Sequence, residues 1–142
     1  MEKKDSQYCQ CLYYSANALA RIMTRFADEE FASLGITSSY AFLLMSVNSK
    51  PGIQPGEISV EMQLTPSTVT RLIEKMEYKG LLERRTSGKF TEVYATGKGE
   101  EIIPQIKTCW MNLYRRYSAI LGEENGQQLT SMIYDAVKKL DK

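Results

Sequence analysis

The 142-residue sequence contains no histidine, one tryptophan and only four prolines. Without histidine, the commonest general base and metal-binding imidazole are both missing, and a mixed Cys/His zinc site is excluded. No stretch approaches the roughly 18 consecutive apolar residues that a membrane span requires. The N-terminal segment has mixed polarity rather than a signal-type apolar core, which points to a cytoplasmic chain with no membrane partner. The three cysteines, Cys9, Cys11 and Cys109, are an odd number, unlike the disulfide framework of a small secreted domain. No catalytic residues, metal ligands or cofactor-binding loop emerge, so the expected class is not an enzyme and no cofactor is implied.

The composition is that of a globular protein, with 43% apolar and 25% charged residues. A net charge of +1 argues at first against nucleic acid, but the charge is unevenly placed. Residues 1–64 hold 5 basic and 7 acidic side chains, residues 65–98 hold 7 and 4, and residues 99–142 hold 6 and 6. The central excess comes from Arg71, Lys75, Lys79, Arg84, Arg85, Lys89 and Lys98, a basic segment hidden in a near-neutral total.

Hydrophobic spacing predicts a mainly α chain with one small β-hairpin. From Ser6 to about Phe31 there is no glycine or proline, and Leu12, Ala16, Leu19, Met23 and Phe26 form the narrow stripe of a long helix. Leu34-Gly35-Ile36 breaks it, Thr37 can cap a second helix reaching Val47, and Asn48-Ser49-Lys50-Pro51-Gly52 ends that one. Pro55 to Met62 reads as a short helix, linked by Gln63-Leu64-Thr65 to the clearest signal in the chain. Thr65 is an N-cap, Pro66 stands at the first helical position, and Val69, Leu72, Ile73 and Met76 make one apolar face before Gly80. Opposite lie Ser67, Thr68, Thr70, Arg71 and Lys75.

Leu81–Arg85 and Phe90–Ala95 are strand-length runs around Thr86-Ser87-Gly88-Lys89, a hairpin with a basic tip. Gly97–Leu121 returns to helix, with Ile103, Ile106, Trp110, Leu113 and Tyr117 at heptad-like spacing and Pro104 near the start. A last helix follows Gly122, with Leu129, Met132, Ile133, Ala136, Val137 and Leu140 on one face. Short helix, tight turn, helix and hairpin in this order predict a winged helix-turn-helix. In such a unit short hydroxyls permit close approach to a major groove, Arg71 reaches guanine edges or phosphate, and Lys89 enters the neighbouring minor groove.

The stretch TPSTVTRLIEKMEYKGLLERR (65–85) followed by VYATGKGEE (93–101) resembles the signature of the MarR family of bacterial transcriptional regulators. The resemblance extends over essentially the whole chain and implies a single domain, 1–142. Within it, residues 37–97 would form the DNA-binding winged helix-turn-helix, and residues 6–33 and 98–142 the helices of an obligate homodimer. It implies DNA contacts from Ser67, Thr68, Thr70 and Arg71, with Arg84 and Arg85 leading into the wing. A repressor on a pseudo-palindromic operator is the function that follows. The sequence departs from the family at the wing, where an Asp-x-Arg element is replaced by Thr86-Ser87-Gly88-Lys89, leaving Lys89 as the substitute.

Cys9-Gln10-Cys11-Leu12-Tyr13 is similar to the C-x-x-L-Y segment of the organic-hydroperoxide (OhrR-like) branch of that family, which places Cys9 at the peroxidatic position with Tyr13 one turn on. A cysteine in the first helical turns is favoured as thiolate, and its sulfenic acid can be resolved by a second thiol. On an ideal helix Cys9 and Cys11 point about 200° apart, which leaves Cys109, at the expected dimer seam, as the resolving candidate. The resemblance is incomplete, because Ser38 stands where that branch carries a supporting tyrosine. Two alternatives stay open: release from DNA by a small aromatic ligand, and a winged-helix module that binds protein rather than DNA.

Overall fold

The computed structural model describes residues 4–141; residues 1–3 and 142, which the expected 1–142 domain includes, lie outside it. Six helices and one hairpin follow in the order α1 (Leu12–Phe31), α2 (Ser38–Ser49), α3 (Pro55–Met62), α4 (Pro66–Tyr78), β1 (Leu82–Ser87), β2 (Phe90–Ala95), α5 (Gly97–Leu121) and α6 (Glu123–Leu140). This is the predicted architecture, mainly helical with a small β wing.

Helix α1 starts at Leu12, the first residue of its apolar stripe and six residues after the start of the glycine- and proline-free stretch at Ser6. The Ser6 hydroxyl accepts the Tyr8 amide at 3.1 Å, the Cys9 amide reaches the Ser6 carbonyl at 3.1 Å, and the Cys11 amide reaches the Tyr8 carbonyl at 2.9 Å. These turns take up the amides that a helix would have used, a competition that serine favours. At the other end a single 3₁₀ turn (Ala32–Leu34) closes on Gly35, whose φ of +70° is in the left-handed region. Thr37 is the residue before α2, as expected, but its side chain does not cap; Asp28 of α1 instead accepts the Ser38 amide at 2.8 Å.

The core is one cluster drawn from every element except α6. Phe31, Leu43, Leu44, Val47, Ile58, Val69, Met76, Val93 and Ile106 are all fully buried within it. The helix-turn-helix is set by its caps. Gln54 and Glu57 form a capping box at the start of α3, and Gln63 adopts left-handed φ +55° at its end. Thr65 then caps α4 with Pro66 at its first position. The strands pair antiparallel with Leu82 opposite Ala95 and Ser87 opposite Phe90, so the loop is Gly88-Lys89 alone and shorter than the four-residue turn expected. Gly52 and Ile53 add a third edge, through bonds of 2.9 and 3.0 Å to Val93.

The entry to α5 is fixed at Thr96. Its hydroxyl donates to the Gly80 carbonyl at 2.6 Å and accepts the Gly99 amide at 3.1 Å, which joins the end of α4 to the start of α5. A Cβ at Gly99 would overlap the Leu81 carbonyl oxygen and press on Leu44 Cδ1 at 3.3 Å. Gly99→Ala is therefore expected to destabilise the fold by about 1–3 kcal/mol. A urea midpoint equal to that of the unmodified protein would mean that α5 can shift outward without loss.

Pro104 stands eight residues into α5, deeper than the start assigned to it, yet the helix is continuous. Ile103 and Ile106 on either side are buried and hold this turn in place despite the missing amide. Arg116 ties α5 back to α1, with Glu29 at 2.7 Å and its guanidinium 3.9 Å from the Phe26 ring centroid. Helix α6 is different: the apolar face of Leu129, Met132, Ile133, Val137 and Leu140 is exposed, as are Leu12 and Tyr13 of α1 and Ile120 of α5.

Candidate nucleic-acid interface

Helix α4 has two contrasting faces. Val69, Ile73 and Met76 are sealed in the core, while Ser67, Thr70, Arg71 and Lys75 face solvent and Thr68 is half-buried. The hydroxyls are partly committed to the helix itself. Thr68 Oγ1 lies 2.9 Å from Thr65 Oγ1, and Thr70 Oγ1 donates to the Pro66 carbonyl at 3.0 Å. Each hydroxyl keeps further acceptor capacity, and both side chains are short. Arg71 and Lys75 are then the long groups on this face, and neither makes an ion pair among the described residues.

The wing arginines are held differently. Arg84 bonds Glu77 of α4 at 2.8 Å, which fastens the hairpin to that helix. Arg85 bonds Glu83 at 2.5 Å and lies 4.1 Å over the Tyr94 ring. Its hydrogen bond to Glu83 raises the Arg85 pKa further above its usual value, and the hydrogen bond to Glu92 raises that of Tyr94. The Lys98 ammonium donates to the Lys79 carbonyl at 3.2 Å. Of the seven central cations, the charged side-chain groups of Arg71, Lys75, Lys79 and Lys89 make no ion pair or hydrogen bond among the described residues.

The cysteines depart from expectation. Cys9 lies in a turn before α1 and Cys11 is the α1 N-cap residue, both exposed, so Cys9 gains no first-turn helix environment and Tyr13 is not one helical turn beyond it. The 200° separation expected for Cys9 and Cys11 does not apply, because the intervening backbone is not helical. Cys109 is buried among Ile106, Leu113 and their neighbours rather than lying on a seam facing outward. The same rotation leaves Trp110 about half exposed.

Periodicity gave no notice of a cavity of about 430 Å³ between α2, α3 and α5. Phe42, Met45, Met62, Lys107, Glu61 and Trp110 line it, with the Phe42 and Trp110 rings edge to face at 6.1 Å. The residues come from three separated segments, so only their assembly reveals the pocket. Elsewhere on α5 the Tyr114 and Tyr117 rings meet edge to face at 5.7 Å, and burial pushes the Tyr117 pKa up.

Residues 34–89 match the sequence model described as the MarR family. The chain is 26% identical over 99 residues to the HTH-type transcriptional repressor MdtR of Bacillus subtilis (strain 168), covering 68% of this chain and 64% of that one. With the uncharacterized HTH-type transcriptional regulator YybA of the same organism it shares 23% over 92 residues, covering 63% and 61%. It thus spans just under two thirds of the length of these curated relatives. Among solved structures, the transcriptional repressor CouR superposes with a TM-score of 0.85 both when bound to p-coumaroyl-CoA and when bound to a 23-mer DNA duplex. Identity is 20% and 19%, over 96% of this chain and 98% and 99% of CouR. The chain therefore has the winged-helix fold of the MarR family, with that family's own sequence pattern across residues 34–89.

Proposed function

We propose that the protein is a homodimeric, sequence-specific DNA-binding transcription regulator of the MarR type, a repressor rather than an enzyme, acting in the cytoplasm on a pseudo-palindromic operator. The observation that carries this is α4, where Ser67, Thr68, Thr70, Arg71 and Lys75 form a polar outward face on a helix whose other side is locked into the core. Residues 37–97 would do the reading, with Lys89 as the wing's free cation and Arg84 and Arg85 aligning the wing. Residues 6–33 and 98–142 would pair the subunits. The unpartnered apolar stripe of α6, with Leu12, Tyr13 and Ile120, favours that pairing, because a surface of this kind is costly to leave in water.

Binding should favour a duplex with half-sites about 34 Å apart and weaken steeply with salt, as neutralised phosphates release counterions. Salt-independent association, or capture of a protein partner with no DNA binding, would point instead to a protein-interaction module.

Two release mechanisms each rest on one observation. Exposure of Cys9 favours oxidation by an organic hydroperoxide, the OhrR-like route. The thiolate takes the terminal peroxide oxygen, giving a sulfenic acid and an alcohol; a second thiol then displaces water to form a disulfide. Cys109 is sealed in the core, so Cys11 on the same turn is the accessible resolving thiol. The cavity by Phe42, Trp110 and Lys107 favours a small aromatic anion instead. Hydroperoxide should release the DNA complex of the unmodified protein and leave that of Cys9→Ser bound. Release that persists in Cys9→Ser, together with release by aromatic acids lost in Trp110→Ala, would select the ligand route.

A further inference from the structure

The wing ends in an exposed aromatic ring. Gly88 has φ +63° and Lys89 does not share that sign, the pattern of a two-residue type II′ hairpin with glycine first. Strand alternation places Leu82 and Val93 against the core, and turns Glu83, Arg85, Ser87, Phe90, Glu92 and Tyr94 to the opposite face. On that face Arg85 is held by Glu83 and Tyr94, and on the inner face Arg84 is held by Glu77. What the tip offers outward is Lys89 and Phe90, and Phe90 is 57% exposed. It makes no aromatic or cation–π pair among the described residues.

We infer that Phe90 is the wing's apolar contact with DNA, its ring seated in the minor groove against the deoxyribose walls while Lys89 meets the adjacent phosphate. The inference rests on the DNA-binding reading above and names the group that acts at the wing. Three observations lead to it. The tip belongs to a hairpin fastened by Arg84 to the helix proposed to enter the major groove, so it is continuous with that surface. Lys89, next in sequence, supplies a charge that suits phosphate. The wing's two arginines, the groups best suited to minor-groove reading, already pair with carboxylates of this chain, Arg84 with Glu77 of α4 and Arg85 with Glu83 of β1.

The chemistry predicts a preference as well as an affinity. A ring has no donors or acceptors with which to read base edges, but it does sense groove shape and obstruction. The guanine N2 amino group projects into the minor groove, whereas A·T pairs leave it clear and narrow, and apolar side chains insert there in other folds. Phe90 should therefore favour A·T pairs at the flanks of the operator, outside the reach of α4.

The test uses the full-length protein and a duplex obtained by selection from random sequence, with affinity read by fluorescence anisotropy across a salt series. Phe90→Ala is expected to weaken binding about tenfold, to abolish the preference for A·T over G·C flanks, and to leave the salt slope unchanged. Lys89→Ala should weaken all flanks alike and reduce the slope by about two, about one for the lysine of each subunit. Phe90→Leu, which keeps apolar bulk, should retain part of the preference. For the unmodified protein, flanking inosine·cytosine pairs, which lack the N2 amino group, should bind like A·T. Phe90→Ala affinity within twofold of the unmodified protein, or inosine·cytosine flanks binding like G·C, would overturn the inference. If Arg71→Ala is weakened while Phe90→Ala is not, only the role of Phe90 fails. If selection yields no bound duplex, the DNA-binding reading fails and this one with it.

Discussion

Arg71→Ala is expected to reduce operator affinity by about 1–3 kcal/mol per half-site, close to tenfold or more for each subunit engaged. Arg71 is exposed on the outer face of α4, without an ion pair among the described residues, and it is the only arginine of the central basic segment so placed. A guanidinium released from internal partners can form a bidentate pair with a guanine edge, or a charge-assisted bond with phosphate. The two roles are separable. If Arg71 reads a base, the loss is concentrated on the cognate sequence and specificity at one position relaxes. If it binds phosphate, all duplexes weaken together. An Arg71→Ala protein with undiminished affinity would remove α4 from the interface. Lys75 lies further along the same helix and Lys79 just past its end, and neither can substitute for a bidentate base contact, since an ammonium lacks the planar fork.

The second large effect is on stability. Phe31→Ala should cost about 3–5 kcal/mol, because truncating a sealed aromatic leaves a void that its neighbours fill only in part. Phe31 is the last residue of α1 and wholly buried, and its ring stands edge-on to Phe42 of α2 at 6.3 Å. Phe42 in turn meets Trp110 of α5, so one chain of rings joins the first helix, the winged unit and the long fifth helix. A domain of this size has about 5–15 kcal/mol in total, so the variant should unfold at markedly lower denaturant. A change below about 1 kcal/mol would mean that the Phe31 site collapses without a cavity. Phe42 and Trp110 of this chain of rings also line the cavity between α2, α3 and α5.

Several parts of the fold were legible because they are written in local chemistry. Thr65-Pro66 announces the start of α4, and the i, i+3, i+4, i+7 spacing of Val69, Leu72, Ile73 and Met76 announces which face it buries. Gly88 within a β-forming run announces the hairpin. The charge excess over residues 65–98 pointed to the outer surface of the same segment. The hairpin's true loop was shorter than read, since Thr86 and Ser87 continue the ladder opposite Thr91 and Phe90. Phe90 itself could have been found by counting: it is odd in register with Val93, which is buried, and so must face away.

Other features depended on which surfaces meet. The turns at Ser6–Cys11 occupy a stretch free of glycine and proline that carries no local helix stop, and their bonds take up the amides of Tyr8, Cys9 and Cys11, so Cys9 lies before the helix. Heptad spacing on α5 could not distinguish a stripe covered by its own chain from one awaiting a second chain; Ile103, Ile106 and Cys109 are buried in the common core of a helix that packs on α1 and α2, while the apolar side of α6 stays open.

What the sequence determined by itself was therefore the order of elements, their caps, the apolar face of each helix and the location of the basic segment. These follow from interactions within a few residues, where spacing and side-chain chemistry are sufficient. Only the tertiary structure decided which cations are free. Arg84 and Arg85 are as basic as Arg71, yet Glu77 and Glu83 hold them and leave Arg71, Lys75 and Lys89 facing outward. Charge is a property of a residue, but its availability depends on neighbours that folding brings within about 3 Å.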